Sequence, residues 1–77
     1  MASETASKVL EYLATSIVDS PDDVEVEVDG NTLRLHVAPD DMGKVIGRRG
    51  RVAQAIRTVV RAAGAKDNTD VNVDIVD

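Results

Sequence analysis

The feature that most constrains the fold is a pair of alternating segments joined by a turn. Apolar and polar residues alternate over residues 24–29 and again over residues 32–38. A period of two places the apolar side chains on one face of each strand. The tripeptide Asp29-Gly30-Asn31 between them predicts a hairpin turn, because glycine accepts positive φ. A hairpin with one apolar face needs other elements to cover that face.

The segments on either side of the hairpin predict helices that provide this cover. Residues 4–18 follow the i, i+3/i+4, i+7 spacing of an amphipathic helix, with Ser3 as its N-cap. Residues 51–63 predict a second long helix, and Gly64 is expected to end it. Its apolar stripe consists of Val52, Ile56, Val59, Val60 and Ala63.

Two shorter elements complete the predicted order. Asp40 or Asp41 is expected to cap a short helix over residues 41–46 by accepting amide hydrogens of its first turn. Alternation over residues 71–76 predicts a third strand. The prediction is therefore a single α+β domain over residues 1–77, in the order α-β-β-α-α-β. Three helices pack on one face of a three-stranded mixed sheet with strands 24–29, 32–38 and 71–76.

The composition excludes several classes of protein. The chain has no cysteine, which rules out disulfides, thiolate metal sites and cysteine nucleophiles. Met1 to Lys8 lack an apolar signal core, and no apolar run approaches the ~20 residues that span a bilayer. No nucleophile–base pair or metal-ligand cluster stands out. We therefore expect a cytoplasmic, non-catalytic protein with no cofactor, no membrane association and no small-molecule substrate.

Positive charge is concentrated in one segment of this acidic chain. The net charge is −5, yet the segment from Met42 to Lys66 contains no acidic residue and seven of the nine Lys and Arg residues. Because salt screens charges beyond about 10 Å, a polyanion responds to this local field and not to the net charge. The seven residues are Lys44, Arg48, Arg49, Arg51, Arg57, Arg61 and Lys66.

The motif Gly-Arg-Arg-Gly, residues 47–50, lies at the centre of the basic segment. Its glycines permit a tight turn and the close approach of a sugar-phosphate backbone. The motif leads into a predicted helix, whose N-terminus favours an anion, and Arg48 and Arg49 add phosphate donors. Gly-x-x-Gly alone also occurs in turns whose arginines are merely solvated. The apolar pair Val45-Ile46 before it and the helix after it favour the phosphate-binding interpretation.

Within this order of elements, the segment from Gly43 to Val60 resembles a KH domain of the type II arrangement. The chain as a whole resembles the small free-standing bacterial KH proteins of the KhpA (YlqC) family. This resemblance implies a sheet whose first and last strands run parallel, and a Gly-x-x-Gly loop that clamps about four nucleotides of single-stranded RNA. It also implies a cytoplasmic RNA chaperone or post-transcriptional regulator, partnered by a second KH protein of the Jag/KhpB type or by a second copy. One departure is Ala53, where many KH domains have Ile.

The expected RNA-binding residues form three groups. The loop residues Gly47, Arg48, Arg49 and Gly50 would clamp the backbone, and Lys44, Arg51, Arg57 and Arg61 would extend the positive field. Val45, Ile46, Val52 and Ile56 would line a groove beside the loop with a strand edge as its other wall, although each is equally suited to the core. Because Tyr12 is the only aromatic residue, bases would have to rest on aliphatic side chains and backbone groups.

A protein-interaction subunit is the alternative function. A domain of 77 residues buries a small core, and such domains gain stability from partners. Val9, Leu13 and Ile17 on the first helix are apolar residues that a partner protein could share with the core. In this interpretation the KH surface docks a protein and binds little RNA by itself.

Overall fold

The structure is a computed structural model that describes residues 3–76. Outside the described residues lie Met1, Ala2 and Asp77, which all belong to the predicted domain. Met1 and Ala2 also belong to the Met1–Lys8 segment. The helices are α1 (Glu4–Ile17), α2 (Met42–Ile46) and α3 (Arg51–Lys66), and the strands are β1 (Glu25–Asp29), β2 (Thr32–His36) and β3 (Asn72–Ile75). Short 3₁₀ turns occupy Pro21–Asp23, Pro39–Asp41 and Arg48–Gly50. The predicted α+β class and the α-β-β-α-α-β order of a type II KH domain are confirmed.

The three strands form one mixed sheet in the order β1-β2-β3. β1 pairs antiparallel with β2, with Val26 opposite Leu35, and β2 pairs parallel with β3, with Leu33 opposite Val73. The expectation that the first and last strands run parallel is wrong, because β3 is parallel to β2 and therefore antiparallel to β1. A parallel pair requires a long crossover, which α2 and α3 provide.

The core lies between the inner face of the sheet and the helices. α1 contributes side chains at intervals of four residues, which fall on one face of a helix. The buried residues of α1 are Ala6, Leu10 and Ala14, those of the sheet are Leu33, Leu35 and Val73, and those of α3 are Ala53, Ile56, Val60 and Gly64. Cover of the sheet is incomplete at β1, where Val28 remains 54% exposed.

Gly64 does not end α3, contrary to the prediction. A Cβ atom on residue 64 would lie 2.6 Å from Cγ2 of Val71 and 3.1 Å from the carbonyl oxygen of Thr69. Gly64 is therefore the position where α3 packs closely on the chain leading into β3. The helix ends at Lys66 in a Schellman motif, in which Asn68 adopts φ 56° and the Thr69 N–H donates to the Gly64 carbonyl at 3.0 Å.

The outer face of the sheet is predominantly acidic. It carries Glu25, Glu27, Asp29, Thr32, Arg34, His36, Asn72 and Asp74, which alternate with the inward-facing residues. Arg34 on the central strand lies 2.9 Å from an Asp29 oxygen and 3.9 Å from an Asp74 oxygen, so it connects all three strands. The acidic residues of this face stand on the opposite side of the sheet from the helices.

Candidate nucleic-acid interface

The Gly-x-x-Gly loop is a tight turn in which three of the four residues, Gly47, Arg49 and Gly50, have positive φ. Gly47 has φ 74° and ψ 175°, a combination essentially restricted to glycine, and Gly50 has φ 73° and ψ 13°. The N–H of Gly50 donates to the Gly47 carbonyl at 3.1 Å and closes the turn. Arg49 is left-handed as well, with φ 58° and ψ 26°, although it has a side chain. The loop therefore holds a strained arginine at its tip.

Gly47 is also required for space. A Cβ atom at this position would lie 2.3 Å from Cγ2 of Val52 and 2.9 Å from the Val52 backbone nitrogen. At Gly50, by contrast, a Cβ atom would have no neighbour within 4 Å among the described residues. The first glycine thus brings the loop against the first turn of α3, whereas the second allows the positive φ of the turn and leaves the space beside it open.

The loop presents uncompensated positive charge. The side chains of Arg48, Arg49 and Arg51 are exposed, and none of them forms an ion pair with any residue between 3 and 76. No side chain of the described part of the chain caps the N-terminus of α3 at Gly50. Exposed guanidinium groups and an uncapped helix N-terminus together favour an anion.

Asp41 does not cap α2, which corrects the prediction that Asp40 or Asp41 would do so. No capping hydrogen bond forms at the start of α2 from either residue. The Asp41 carboxylate is instead 2% exposed and accepts the backbone N–H groups of Asp19 and Ser20, each at 3.1 Å. It therefore attaches the short helix that carries the loop to the segment that follows α1.

Lys44 is directed away from the loop toward the same segment. Its ammonium group forms an ion pair and hydrogen bond with Asp19 and lies 4.0 Å from Asp41. The hydrogen bond to Asp19 raises the pKa of Lys44 above its ordinary value, against a smaller opposing effect of desolvation. Of the basic residues predicted to contact RNA, Lys44 is thus the one whose charge is already neutralised.

Arg57 connects α3 to the free edge of the sheet. Asn72 and Val76 donate their N–H groups toward the β2 side, to Asn31 and Leu35, at 2.8 and 2.9 Å. In a strand the backbone groups of alternate residues point in opposite directions, so those of Val73 point to the free edge. The Arg57 Nε–H donates to this Val73 carbonyl at 3.3 Å.

The four predicted groove residues differ in their exposure. Val45 has no exposed surface and Ile56 is buried, so both belong to the core. Val52 is half-buried and packs against Gly47, whereas Ile46 is 40% exposed. Because residues two apart are separated by about 200° around a helix, Ile46 lies on the side of α2 away from Lys44. Ile46 is therefore the apolar residue of this set that is open to a ligand.

Two features of the site were not predicted from the sequence. The free-edge carbonyl of Val73 becomes identifiable only from the strand register, which the sequence does not give. The pairing of Asp19 with Lys44 joins residues that are 25 positions apart, and no local pattern indicates it. The pair Asp40-Asp41 after Pro39 is typical of a helix cap or a turn. The same pair is equally compatible with a buried carboxylate that accepts backbone N–H groups from another segment, which is the role of Asp41.

An apolar groove of about 160 Å³ runs between α1 and α3, and Val52 and Ile56 of the predicted base groove belong to its lining. Its lining consists of Leu13, Ile17, Val52, Ala55, Ile56 and Val59. Val59 was predicted to face the core but is 47% exposed at this groove, because the buried stripe of α3 is centred on Ala53 and Val60. Two of the three α1 residues considered for a partner contact, Leu13 and Ile17, lie here.

Among residues 3–76, no group of three or more His, Cys, Asp or Glu side chains is placed to hold a metal ion. None of the described helices combines the length and apolarity that crossing a membrane requires.

Comparison with known proteins identifies relatives over nearly the whole chain. Residues 7–75 match the family model described as KhpA/KhpB, KH domain. The RNA-binding protein KhpA of Clostridium acetobutylicum is 55% identical over 73 residues, covering 90% of this chain and 97% of the relative. Proteins of the same name from Halalkalibacterium halodurans and Streptomyces coelicolor are each 51% identical, covering 90% and 91% of this chain and 96% and 90% of theirs. These relatives are named as binding proteins and not as enzymes, in agreement with the non-catalytic prediction.

Proposed function

Because this chain belongs to the KhpA/KhpB family of KH domains, we propose that it is a non-catalytic protein that binds single-stranded RNA. In this proposal the Gly-x-x-Gly loop clamps the sugar-phosphate backbone and the adjoining surface accommodates the bases. The observation that carries the proposal is the loop itself, with its positive-φ glycines and two exposed arginines at the start of α3.

The loop supports backbone contact for two reasons. Gly50 has no Cβ atom, and no described atom lies within 4 Å of where one would stand, so a phosphate can approach the turn closely there. The guanidinium groups of Arg48, Arg49 and Arg51 have no acidic partner among the described residues, so binding a phosphate does not require an ion pair to be broken. Log affinity falls linearly with log salt concentration, and each phosphate contact to a single strand adds about 0.7 to the steepness of that slope.

The base-contacting surface has an aliphatic wall and a polar edge. Exposed Ile46 supplies apolar surface beside the loop, and Arg57 at the free edge of β3 supplies hydrogen-bond donors. Val45, Val52 and Ile56 support this surface from the core or from beneath the loop. Sequence preference in such a groove rests on few polar groups, and affinity depends strongly on salt.

Fluorescence anisotropy tests the clamp. A labelled pool of short single-stranded RNAs is titrated with wild-type protein and with Arg48→Asp/Arg49→Asp, and circular dichroism verifies the fold of each. We expect saturable binding by wild type and at least a tenfold loss in the variant, with a salt slope lower by about 1.4 for two lost phosphate contacts.

The matched control is Lys8→Glu/Lys66→Glu, which changes the net charge by the same amount outside the loop. We expect this variant to retain most of the affinity, because Lys8 is engaged with Glu4 at 3.1 Å and Lys66 lies at the far end of α3. Equal losses of RNA affinity in the two double variants would mean that binding depends on the overall charge and not on the loop. Unchanged binding by the loop variant would refute the clamp.

A second candidate function, docking of a partner protein, is supported by the apolar groove between α1 and α3. Its exposed Val59 and its lining of six apolar residues suit a second copy of the chain or a second KH protein of the Jag/KhpB type. Size-exclusion chromatography with light scattering tests the first of these. A strict monomer at working concentration would exclude self-association, and a dimer that Val59→Lys dissociates would support it.

The proposed cellular setting follows from the proposed activity. A small domain that binds single strands through their backbone, with slight sequence preference, suits an RNA chaperone or a post-transcriptional regulator in the cytoplasm. Measurement of strand-annealing rates of a complementary RNA pair, with and without the protein, tests the chaperone role. An unchanged rate at saturating protein would exclude it.

A further inference from the structure

The outer edge of β1 is a strand edge that no other element of the described chain covers. The sheet order β1-β2-β3 places it across the sheet from the β3 edge, where Arg57 contacts the Val73 carbonyl. At β1, none of the loop and side-chain hydrogen bonds among residues 3–76 involves Val26 or Val28. We propose that this edge binds an extended segment of a partner protein, in which apolar residues alternate with lysine or arginine.

The strand register shows which backbone groups point to this edge. The carbonyls of Asn31, just before β2, and of Leu35 accept N–H groups from the β3 segment, so odd-numbered residues of β2 direct their backbone groups to β3. The even-numbered residues therefore pair with β1, and they lie opposite its odd-numbered residues, 25, 27 and 29. The N–H and C=O groups of Val26 and Val28 consequently point outward. These two donors and two acceptors are the groups that an added strand pairs with.

The inner face of the sheet leaves apolar surface open beside this edge. Val28 lies opposite Leu33, which is fully buried beneath the helices, so both side chains are on the helix side of the sheet. Val28 is nevertheless 54% exposed. The apolar side chains of an added strand would pack beside Val26 and Val28 and remove this surface from water.

The charges on the outer face of β1 determine the other residues of the ligand. Of its three acidic side chains, Asp29 has an arginine partner, Arg34, at 2.9 Å, and Glu27 contacts His36. No ion pair in the described part of the chain includes Glu25. Opposite charges on neighbouring strands stabilise their pairing. A ligand with lysine or arginine at alternate positions would place these cations beside Glu25 and Glu27.

The same charges disfavour a second copy of this chain as the ligand. Pairing β1 with another β1 would bring acidic side chains together, and pairing it with the edge of β3 would bring them near Asp74. Other devices that protect strand edges are missing from β1, since its five residues include no proline and pair with β2 without a bulge. Protection by negative charge excludes acidic strands and admits basic ones.

NMR titration of the ¹⁵N-labelled protein with three end-capped hexapeptides tests the proposal. The first is Lys-Val-Lys-Val-Lys-Val, the second has the same composition in the order Lys-Lys-Lys-Val-Val-Val, and the third has glutamate in place of each lysine of the first. We expect saturable binding of the first peptide and about tenfold weaker binding of the other two. The first peptide should shift the amide signals of Val26 and Val28 and slow their hydrogen exchange. The amides of Glu27 and Asp29, which already pair with β2, should change less.

Two variants separate strand pairing from charge. Val28→Pro removes an outward N–H group while the ladder between β1 and β2 stays intact, and it should abolish binding of the alternating peptide. Glu25→Gln/Glu27→Gln leaves the backbone edge unchanged and should weaken binding about fivefold. Its matched control, Glu4→Gln/Glu11→Gln on exposed positions of α1, should stay within about twofold of wild type. Circular dichroism verifies the fold of each variant.

Three outcomes would overturn the inference, and none of them depends on whether the protein binds RNA. Equal binding of the alternating and block peptides would show attraction by charge without strand pairing. Binding that shifts amides elsewhere and leaves those of Val26 and Val28 unchanged would exclude the β1 edge. If none of the peptides bound to folded wild-type protein at millimolar concentration, the edge would not be a docking site for such segments.

Discussion

Gly47 lies against Val52 so closely that a Cβ atom on residue 47 would stand 2.3 Å from Cγ2 of Val52. Its φ of 74° and ψ of 175° independently exclude most side chains. Two separate physical reasons therefore require glycine at the first position of the loop. Because Val52 belongs to the first turn of α3, the path of the loop is fixed relative to the helix that follows it.

The two loop glycines should respond differently to alanine. Gly47→Ala combines backbone strain with overpacking and should destabilise the domain by about 3 kcal/mol. Gly50→Ala incurs only the left-handed backbone penalty of about 1 kcal/mol, since its Cβ meets open space. Urea denaturation of both variants measures the difference. Equal losses would show that the Val52 contact relaxes without cost.

The two helical glycines form a second matched pair. Gly64→Ala places a Cβ 2.6 Å from Cγ2 of Val71 and should cost about 1–3 kcal/mol. Gly43→Ala in α2 meets no neighbour within 4 Å among residues 3–76 and should stabilise the domain by about 0.5–1 kcal/mol through helix propensity. Thermal denaturation reports the sign of each effect. A stabilising Gly64→Ala would contradict close packing of α3 against the chain before β3.

The buried carboxylate of Asp41 should contribute more to the stability of the domain than the carboxylate of its neighbour Asp40. Asp41→Ala leaves the N–H groups of Asp19 and Ser20 without their acceptor and should cost about 2–3 kcal/mol. Asp40→Ala, a change at the exposed neighbour, should shift stability by less than about 0.5 kcal/mol. Urea midpoints of the two variants provide the comparison. Similar midpoints would mean that water accepts the N–H groups of Asp19 and Ser20 once the Asp41 carboxylate is removed.

Lys44 should contribute less to RNA affinity than the loop arginines. Its ammonium group is engaged by Asp19, so Lys44→Gln should reduce affinity less than twofold, whereas Arg48→Gln should reduce it about fivefold. Asp19→Asn should release the ammonium group and raise affinity. Anisotropy titrations of the three variants at one salt concentration check these values. A larger loss from Lys44→Gln than from Arg48→Gln would contradict this order.

The same ion pair predicts a dependence of stability on alkaline pH. Because the pKa of Lys44 is raised in the folded state, its contribution to stability is complete below the unfolded value of 10.5 and is lost as pH rises through the folded value. The stability difference between wild type and Lys44→Gln should therefore shrink above pH 10.5. Urea titrations at pH 9 and pH 11 measure it. A difference that stays constant would exclude the Asp19 contact as its source.

The sequence predicted most of the fold because periodicity and turn chemistry are local. The alternating strands, the Asp29-Gly30-Asn31 turn and the amphipathic α1 each follow from residues within a few positions of one another. The direction of β3 does not, because two alternating strands fit a sheet in either orientation. The strand pairing in the structure shows that β3 is parallel to β2, a direction that the crossover through α2 and α3 permits.

The same distinction explains which parts of the site were predicted. The loop, residues 47–50, is a contiguous motif, so its tight turn before α3 could be predicted from local sequence, and its contact with RNA stays a prediction. Gly64 was misread because glycine after an apolar stripe suits a helix end as well as a close helix–strand contact. The roles of Asp41 and Lys44 depend on Asp19, which tertiary structure alone brings near.

The opposed charges of this molecule also affect how it meets a ligand. The outer sheet face carries acidic side chains and the loop carries arginines, so the domain has an electric dipole even though its net charge is −5. Since the acidic face repels a polyanion and the arginines attract it, we expect the domain to turn loop-first before contact. Added salt should then slow association by screening the torque as well as the attraction.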